Sequence, residues 1–363
     1  MKLVVFGLAV SSSWGNGHAP LWRALIGQLV RQGHRVTFFE RDVYYYAQNR
    51  DLTELPPGGE LVFYREWEDA LPQARRALAN ADAGIVTSYC PDGIAAAALL
   101  CDSRGVVRCF YDLDTPVTLA RLAAGEAVEY LPVEGLGGFD LVLSYTGGPA
   151  LVALRDLLGA RRTAALYGSV DPDLHRPVPP QLGVATASLS YLGTYAADRQ
   201  VALERLFVAT ARARPEQRFV IGGAQYPQDF PWTPNIFFMR HLPPREHPPF
   251  YGASRLTLNV TRAAMARMGW CPSGRLFEAA ACGTPILSDW WDGLHEFFTP
   301  GEQILVARDT ADACEAVDLP DAALRAIAGR ARERVLTEHS SDRRARELVA
   351  LLENAAQPVT QEA

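Results

Sequence analysis

The chain has 363 residues, 48% of them hydrophobic and 21% charged, which is apolar material for two cores of ordinary size. A formal net charge of -6 disfavours a nucleic-acid scaffold, which needs clustered Lys and Arg to displace phosphate counterions, and leaves room only for a local basic site. The six cysteines form no C-x-x-C pair and no His spacing of the zinc type, so they read as reduced core fillers.

The apolar start of the chain stops at Gly7 and does not run on into a signal-peptide core, and no stretch approaches the ~18 apolar residues of a membrane span. A cytoplasmic chain without a transmembrane segment is expected. Short apolar runs at 3–7, 35–40, 60–64, 84–88, 106–111, 141–144 and 164–167 are predicted strands. Helical patterns at 21–32, 66–79, 93–103 and 149–158 alternate with them. Residues 168–180 hold four prolines and read as an extended connector.

A second series then begins, with predicted strands at 188–192, 218–222, 236–239, 256–260, 285–288 and 303–306 and helices at 199–213, 275–282 and 321–337. The chain closes on an Arg- and Leu-rich helix at 341–354 and a polar tail expected to fray. The expected organisation is α/β: a Rossmann-like domain at 1–170, a second at 171–340, and a segment at 341–363 whose helix returns to the first domain. Two doubly wound parallel sheets of this kind take ligands in a cleft facing the carboxyl ends of their strands.

The most informative stretch runs from Cys271 to Asp289. Ser273 and Gly274 open a helix whose unpaired N–H groups and positive dipole end suit a pyrophosphate, and Arg275 adds a cation there. Glu278, one turn on, can accept bonds from two ribose hydroxyls, as carboxylates do in dinucleotide folds. Read without a ligand, Ser273 is a plain N-cap and Glu278 a solvated charge. Gly283 ends the helix and Thr284-Pro285 feeds the next strand.

This run resembles the donor-site signature of GT-B glycosyltransferases, S-x-R-x-x-E-x-x-x-x-G-x-P. Arg275-Leu-Phe-Glu-Ala-Ala-Ala-Cys-Gly-Thr-Pro285, followed by Asp292-Gly-Leu-His-Glu-Phe-Phe298, is similar to the CgeB-like group, relatives of a spore maturation protein. The resemblance implies that Glu278 binds the nucleotide ribose and that Ser273, Gly274 and Arg275 lie against the diphosphate. It also implies that Asn259 and Arg262 line the donor pocket. The E-x7-E pattern of many retaining members is broken, because Trp270 stands where its first Glu belongs. Glu296 or Asp292 is the expected substitute for the sugar contact.

Smaller signals surround this one. Gly193-Thr194-Tyr195 at a strand-to-helix turn offers backbone N–H groups to a phosphate, Gly223 permits close passage of a nucleotide, and His241 lies where related enzymes hold the base. In the first domain, Gly15-Asn-Gly-His18-Ala-Pro20 does not fit the G-x-G-x-x-G fingerprint, which disfavours a nicotinamide enzyme. It resembles the glycine-rich loop of MurG-like GT-B enzymes, in which a His at the position of His18 acts as acceptor base. An imidazole titrating near 6.5 suits proton removal from a hydroxyl. Asp112-Leu-Asp114-Thr-Pro116 places two carboxylates at the end of a strand, so Asp114 is a second base candidate, or a cap for a helix at 117–124.

The expected function is metal-independent transfer of a sugar from a nucleoside diphosphate sugar, UDP- or dTDP-type, to a small-molecule, glycan or protein acceptor, without further cofactor. The competing readings are a nucleotide-sugar epimerase of the same architecture and a non-catalytic nucleotide-sugar-binding scaffold.

Overall fold

Consecutive residues of a buried parallel strand face opposite sides of the sheet, so a run such as Lys2–Gly7 serves two cores at once. In the computed structural model, which describes residues 1–179, 186–240 and 242–357, Leu3 and Val5 enter one core while Val4 and Phe6 enter the other. The chain divides into two compact units, Met1–Tyr167 with Ser341–Ala363, and Gly168–Ser340.

The first unit holds β1 (Lys2–Gly7), β2 (Arg35–Arg41), β3 (Gly59–Tyr64), β4 (Ala83–Thr87), β5 (Val107–Asp112), β6 (Leu141–Ser144) and β7 (Thr163–Ala165). All pairings are parallel, in the order β3-β2-β1-β4-β5-β6-β7. The helices are α1 (His18–Arg31), α2 (Tyr44–Ala47), α3 (Trp67–Leu78), α4 (Gly93–Asp102), α5 (Thr115–Ala123) and α6 (Pro149–Leu158). On α1, Trp22, Leu25, Ile26 and Leu29 recur at helical spacing and are all buried. Ala345, Leu348 and Leu352 of the final helix, Ser341–Ala356, fill the same core. Burying each Leu there contributes about 1.5–3 kcal/mol.

The second unit holds β8 (Leu189–Leu192), β9 (Phe219–Gly223), β10 (Ile236–Arg240), β11 (Thr257–Asn259), β12 (Ile286–Ser288) and β13 (Leu305–Val306), again all parallel, in the order β10-β9-β8-β11-β12-β13. Its helices are α7 (Gln200–Leu203), α8 (Ala209–Ala213), α9 (His247–Gly252), α10 (Ala263–Met268), α11 (Gly274–Ala281), α12 (Leu294–Phe297), α13 (Thr310–Asp318) and α14 (Asp321–Glu338), and α15 is the closing helix Ser341–Ala356 of the first unit. In both sheets the strand order reverses beside the first strand of the unit, between β1 and β4 and between β8 and β11. Such a reversal leaves a crevice at the carboxyl ends of the strands where helices diverge to opposite faces.

All thirteen predicted strands are present, with ends shifted by a residue or two. The helix expected at 199–213 is entered through a 3-10 turn, Ala197–Arg199, and carries a π-helical turn at Glu204–Val208. Residues 168–179, read as an extended connector, mix exposed positions with buried ones. His175 is buried, and Val170 N–H donates to His339 O at 3.0 Å. Helices α2, α9, α10, α12 and α13 were not foreseen. Pro248 and Pro249 read as breakers, yet they sit in the first turn of α9, where a missing N–H costs nothing. Asp309 caps α13 by accepting from Asp312 N at 3.0 Å. Among the described residues no helix is long and apolar enough to cross a membrane.

Candidate functional site

At the carboxyl edge of the second sheet, the turn after β8 is pinned to the turn after β9. Gly193 N–H donates to Gly222 O at 2.8 Å, Tyr195 N–H to Ala224 O at 2.9 Å, and the Tyr226 hydroxyl to Gly193 O at 3.1 Å. A Cβ on Gly223 would stand 2.0 Å from Gly193 O, so only glycine allows the two chains to approach so closely.

Arg275 reaches back from α11 into this edge. Its Nη1 donates to Leu192 O at 3.0 Å, its Nη2 to Val260 O at 3.2 Å, and its Nε to Ser273 Oγ at 3.1 Å. The guanidinium therefore bridges β8 and β11 at their point of reversal. Ser273 stands at the N-cap position of α11 with extended backbone, but its hydroxyl makes no cap bond and accepts from Arg275 Nε instead.

Arg199, which the sequence reading took only as a helix start, joins the same group. Its Nη1 donates to Thr194 O at 3.3 Å, while its Nε is shut off from solvent and has no partner among the described residues. Burial first, then the charges of Arg275 and Arg262, push its pKa down. Arg262 is paired with Asp198 at 3.0 Å. Three guanidinium groups thus act on one another around the Gly193-Thr194 turn.

Beside them, Asn259 Nδ2 donates to Ser288 Oγ at 3.1 Å, and its buried Oδ1 has no partner among the described residues. Thr261 N–H donates to Asp289 at 3.1 Å, and burial raises the Asp289 pKa. Asn259 and Asp289 therefore form a closed polar corner at the ends of β11 and β12.

Glu278 is not a solvated helical charge. Its Oε2 lies 3.2 Å from His247 Nδ1 and 3.9 Å from His175 Nε2. Burial alone would raise its pKa, but His175, His247 and Arg275 outweigh it and bring it down to about 2. Gly274 stands over it, with Glu278 Oε1 3.9 Å from the place a Cβ would take. Neither histidine was singled out in the sequence. His247 falls in a Pro-rich turn and His175 in the apparent connector, and nothing in their spacing relates them to Glu278.

Trp270 has φ +47, a conformation a bulky residue adopts only when its surroundings demand it. Its N–H donates to Asp292 O at 2.7 Å and its indole Nε1 to Glu296 Oε1 at 2.6 Å. The residue that displaces the expected glutamate is thus attached to both acidic residues named as its substitutes. His241 lies outside the described residues.

In the first unit, His18 Nε2 is 3.4 Å from Asp114 Oδ2, and His18 Nδ1 is inaccessible and without a partner among the described residues. His18 N–H donates to Asn16 Oδ1 at 3.0 Å, and Asn16 Nδ2 donates to Ala9 O at 2.9 Å, which orders the glycine-rich loop. Fully buried Glu40 fixes the loop's other half, accepting from Val10 N at 2.7 Å and Ser11 N at 2.9 Å. Burial raises its pKa against those bonds.

Asp112 accepts from Asp114 N at 3.1 Å, and burial pushes its carboxyl up to about 6. Tyr89, at the end of β4 with φ +61, packs its ring 5.6 Å from His18 and 4.9 Å from Tyr130. The loops after β1, β4 and β5 therefore bring His18, Tyr89 and Asp114 together at the point where the strand order reverses. Of the aromatics in this unit, Trp22 is buried in the core, while Tyr44 and Tyr45 are exposed.

Residues 199–350 match a family model described as glycosyl transferase-like. No curated protein sequence matches the chain. Among solved structures, it is similar to a sucrose-phosphate synthase from Thermosynechococcus elongatus, with a TM-score of 0.73 and 17% identity over 97% of this chain and 98% of that one. Anabaena HepE in complex with UDP-glucose matches with a TM-score of 0.69 and 15% identity, covering 98% of this chain and all (100%) of the other. An alpha-glucosyltransferase in complex with UDP and a 13-mer DNA matches with a TM-score of 0.68 and 13% identity, over 97% of this chain and 99% of that one. These likenesses, with the two parallel sheets, establish that the chain has the GT-B fold of two Rossmann-like units.

Proposed function

We propose that the protein is a glycosyltransferase whose second unit binds a nucleoside diphosphate sugar, UDP- or dTDP-type, and whose first unit binds the acceptor. The observation that carries the reading is the group formed by Arg199, Arg262 and Arg275 around the Gly193-Thr194 turn, with one carboxylate, Asp198, paired to it. A cluster of guanidinium groups at a strand-order reversal is a site for a phosphate, and it lowers the barrier by meeting the charge that develops on a leaving diphosphate. Because arginines meet that charge, the scheme calls for no metal. The family match over 199–350 and the UDP complexes among the structural neighbours support the same donor chemistry.

Within that scheme the N-terminal turn of α11, with Ser273 and Gly274, faces the diphosphate, and Glu278 takes the ribose hydroxyls. Asn259 holds the corner beside them, and Glu296, oriented by Trp270, replaces the missing carboxylate at the sugar. His18 removes the acceptor proton with Asp114 holding its imidazole, which is the pairing a general base needs. Direct displacement with that base inverts the anomeric centre. The Arg275–Pro285 and Asp292–Phe298 motifs support a place near the CgeB-like group.

The test is to follow UDP-glucose and dTDP-glucose by NMR in the presence of the protein and a panel of acceptors. Release of nucleoside diphosphate with a new glycoside supports transfer. A free epimerised nucleotide sugar, formed without any acceptor, would establish the epimerase instead.

A further inference from the structure

The three groups around Glu278 come from separate parts of the second unit: His175 from the Pro-rich segment, His247 from α9 and Glu278 from α11. One ligating atom of each lies within 4.8 Å of the other two. Two imidazoles and a carboxylate are a donor set for a divalent transition ion, and zinc takes such ligands at about 2.0–2.2 Å. Those bond lengths place tetrahedral donor atoms about 3.4 Å apart. The His247 Nδ1 to Glu278 Oε2 distance of 3.2 Å already meets this, the His175 Nε2 to Glu278 Oε2 distance of 3.9 Å needs a shift of a few tenths of an ångström, and the two imidazoles, within 4.8 Å, must draw together around the ion.

Three further observations point to a ligand. His175 is 5% exposed, and both of its ring nitrogens are buried without a hydrogen-bond partner among the described residues. A buried imidazole with neither nitrogen bonded is costly, and an ion on Nε2 would satisfy one of the two. His247 Nε2 meets Leu242 O at 3.2 Å, so Nε2 carries a proton and Nδ1 is the atom left to face the cluster. A backbone carbonyl on the far nitrogen is the arrangement that orients metal-bound histidines. The hydroxyl of Tyr251, whose ring centroid lies 6.5 Å from that of His247, is also buried without a partner among the described residues.

We propose that His175, His247 and Glu278 form a binding site for a zinc-class divalent ion, held by His175 Nε2, His247 Nδ1 and a Glu278 carboxylate oxygen, with a fourth position open. On binding, the ion replaces the proton that His247 Nδ1 shares with Glu278, and that proton passes to solvent. The site stands whether or not the protein transfers sugar. If Glu278 also holds the ribose, zinc and nucleotide compete for it.

The test is calorimetric titration of Zn2+ alone into the full-length, EDTA-stripped protein, with UDP thermal shifts measured separately in EDTA so that the two claims fail independently. One equivalent should bind, with affinity reduced about 100-fold in His175→Asn and in His247→Gln, and unchanged in Cys314→Ser. Circular dichroism checks that the variants fold, and Co2+ added to the wild type should give the visible d–d bands of a four-coordinate nitrogen and oxygen site without a thiolate charge-transfer band. Absence of saturable Zn2+ binding, wild-type Zn2+ affinity retained in both histidine variants, or a thiolate band with Co2+ would each overturn the proposal.

Discussion

Replacing Arg199 by glutamine separates binding from folding. In the unliganded protein the Arg199 pKa is lowered by burial and by the charges of Arg275 and Arg262, and among the described residues its guanidinium donates from Nη1 to Thr194 O at 3.3 Å. Removing the charge gives up a hydrogen bond worth about 1 kcal/mol and relieves the burial cost and like-charge repulsion that oppose it. The unliganded variant should therefore unfold within about 1 kcal/mol of wild type, a Tm shift of at most ~2–4 °C for units of this size. With a diphosphate bound, the same charge makes a charge-assisted contact worth about 1.5–3 kcal/mol, and its loss should weaken UDP about 10- to 100-fold. Calorimetry of UDP at low salt, with thermal unfolding of the unliganded proteins, reads both quantities. A UDP affinity within twofold of wild type would refute the assignment of this arginine group to the diphosphate.

Other outcomes follow from the first unit. His18→Ala and Asp114→Asn should each reduce transfer about 10²- to 10⁴-fold while leaving UDP binding intact, and full turnover in both would remove the base from the mechanism. Asp112→Asn should stabilise the protein in a pH-dependent way. Its folded carboxyl titrates at about 6, above the ~3.9 of an unfolded chain, so the destabilisation it causes is absent below pH ~4, grows between ~4 and ~6 and is complete above. Two units correspond to a ceiling of about 3 kcal/mol, so urea unfolding at pH 8 should show a gain that fades by pH 4.5, and an equal effect at both would contradict the burial argument. Leu348→Ala should cost about 2–5 kcal/mol through the cavity it leaves between α15 and α1, and a wild-type Tm would mean that this contact is dispensable.

The strands were legible because each is a short apolar run bounded by turn residues, and parallel strands buried on both faces leave that pattern in the sequence. Helix α11 was legible at both ends, where Ser273-Gly274 opens it and Gly283, at φ +74, closes it. Helix α9 was not, because Pro248 and Pro249 suppress the pattern that its buried Phe250 and Tyr251 would otherwise show. Polar contacts between distant segments were also hidden. Glu40 reads as one more charge after an apolar strand, and only the fold turns it onto the amides of Val10 and Ser11. Arg199 looks like a helix-start cation until the turn after β8 folds back over it, and His175 reads as linker until it is buried against Glu278. Periodicity reports which residues face a core. It carries no record of which loops the strand order brings together.

The central claim is a diphosphate site in the second unit, and a thermal-shift panel of UDP, GDP, dTDP and their sugars, run in EDTA, tests it most directly. A ligand that binds only the folded state at 100 times its Kd adds about 2.7 kcal/mol, several degrees of Tm for a unit of this size. UDP or dTDP and the matching sugar should raise the Tm by that order, and Arg199→Gln should remove most of the gain. No shift with any nucleoside diphosphate would contradict the account.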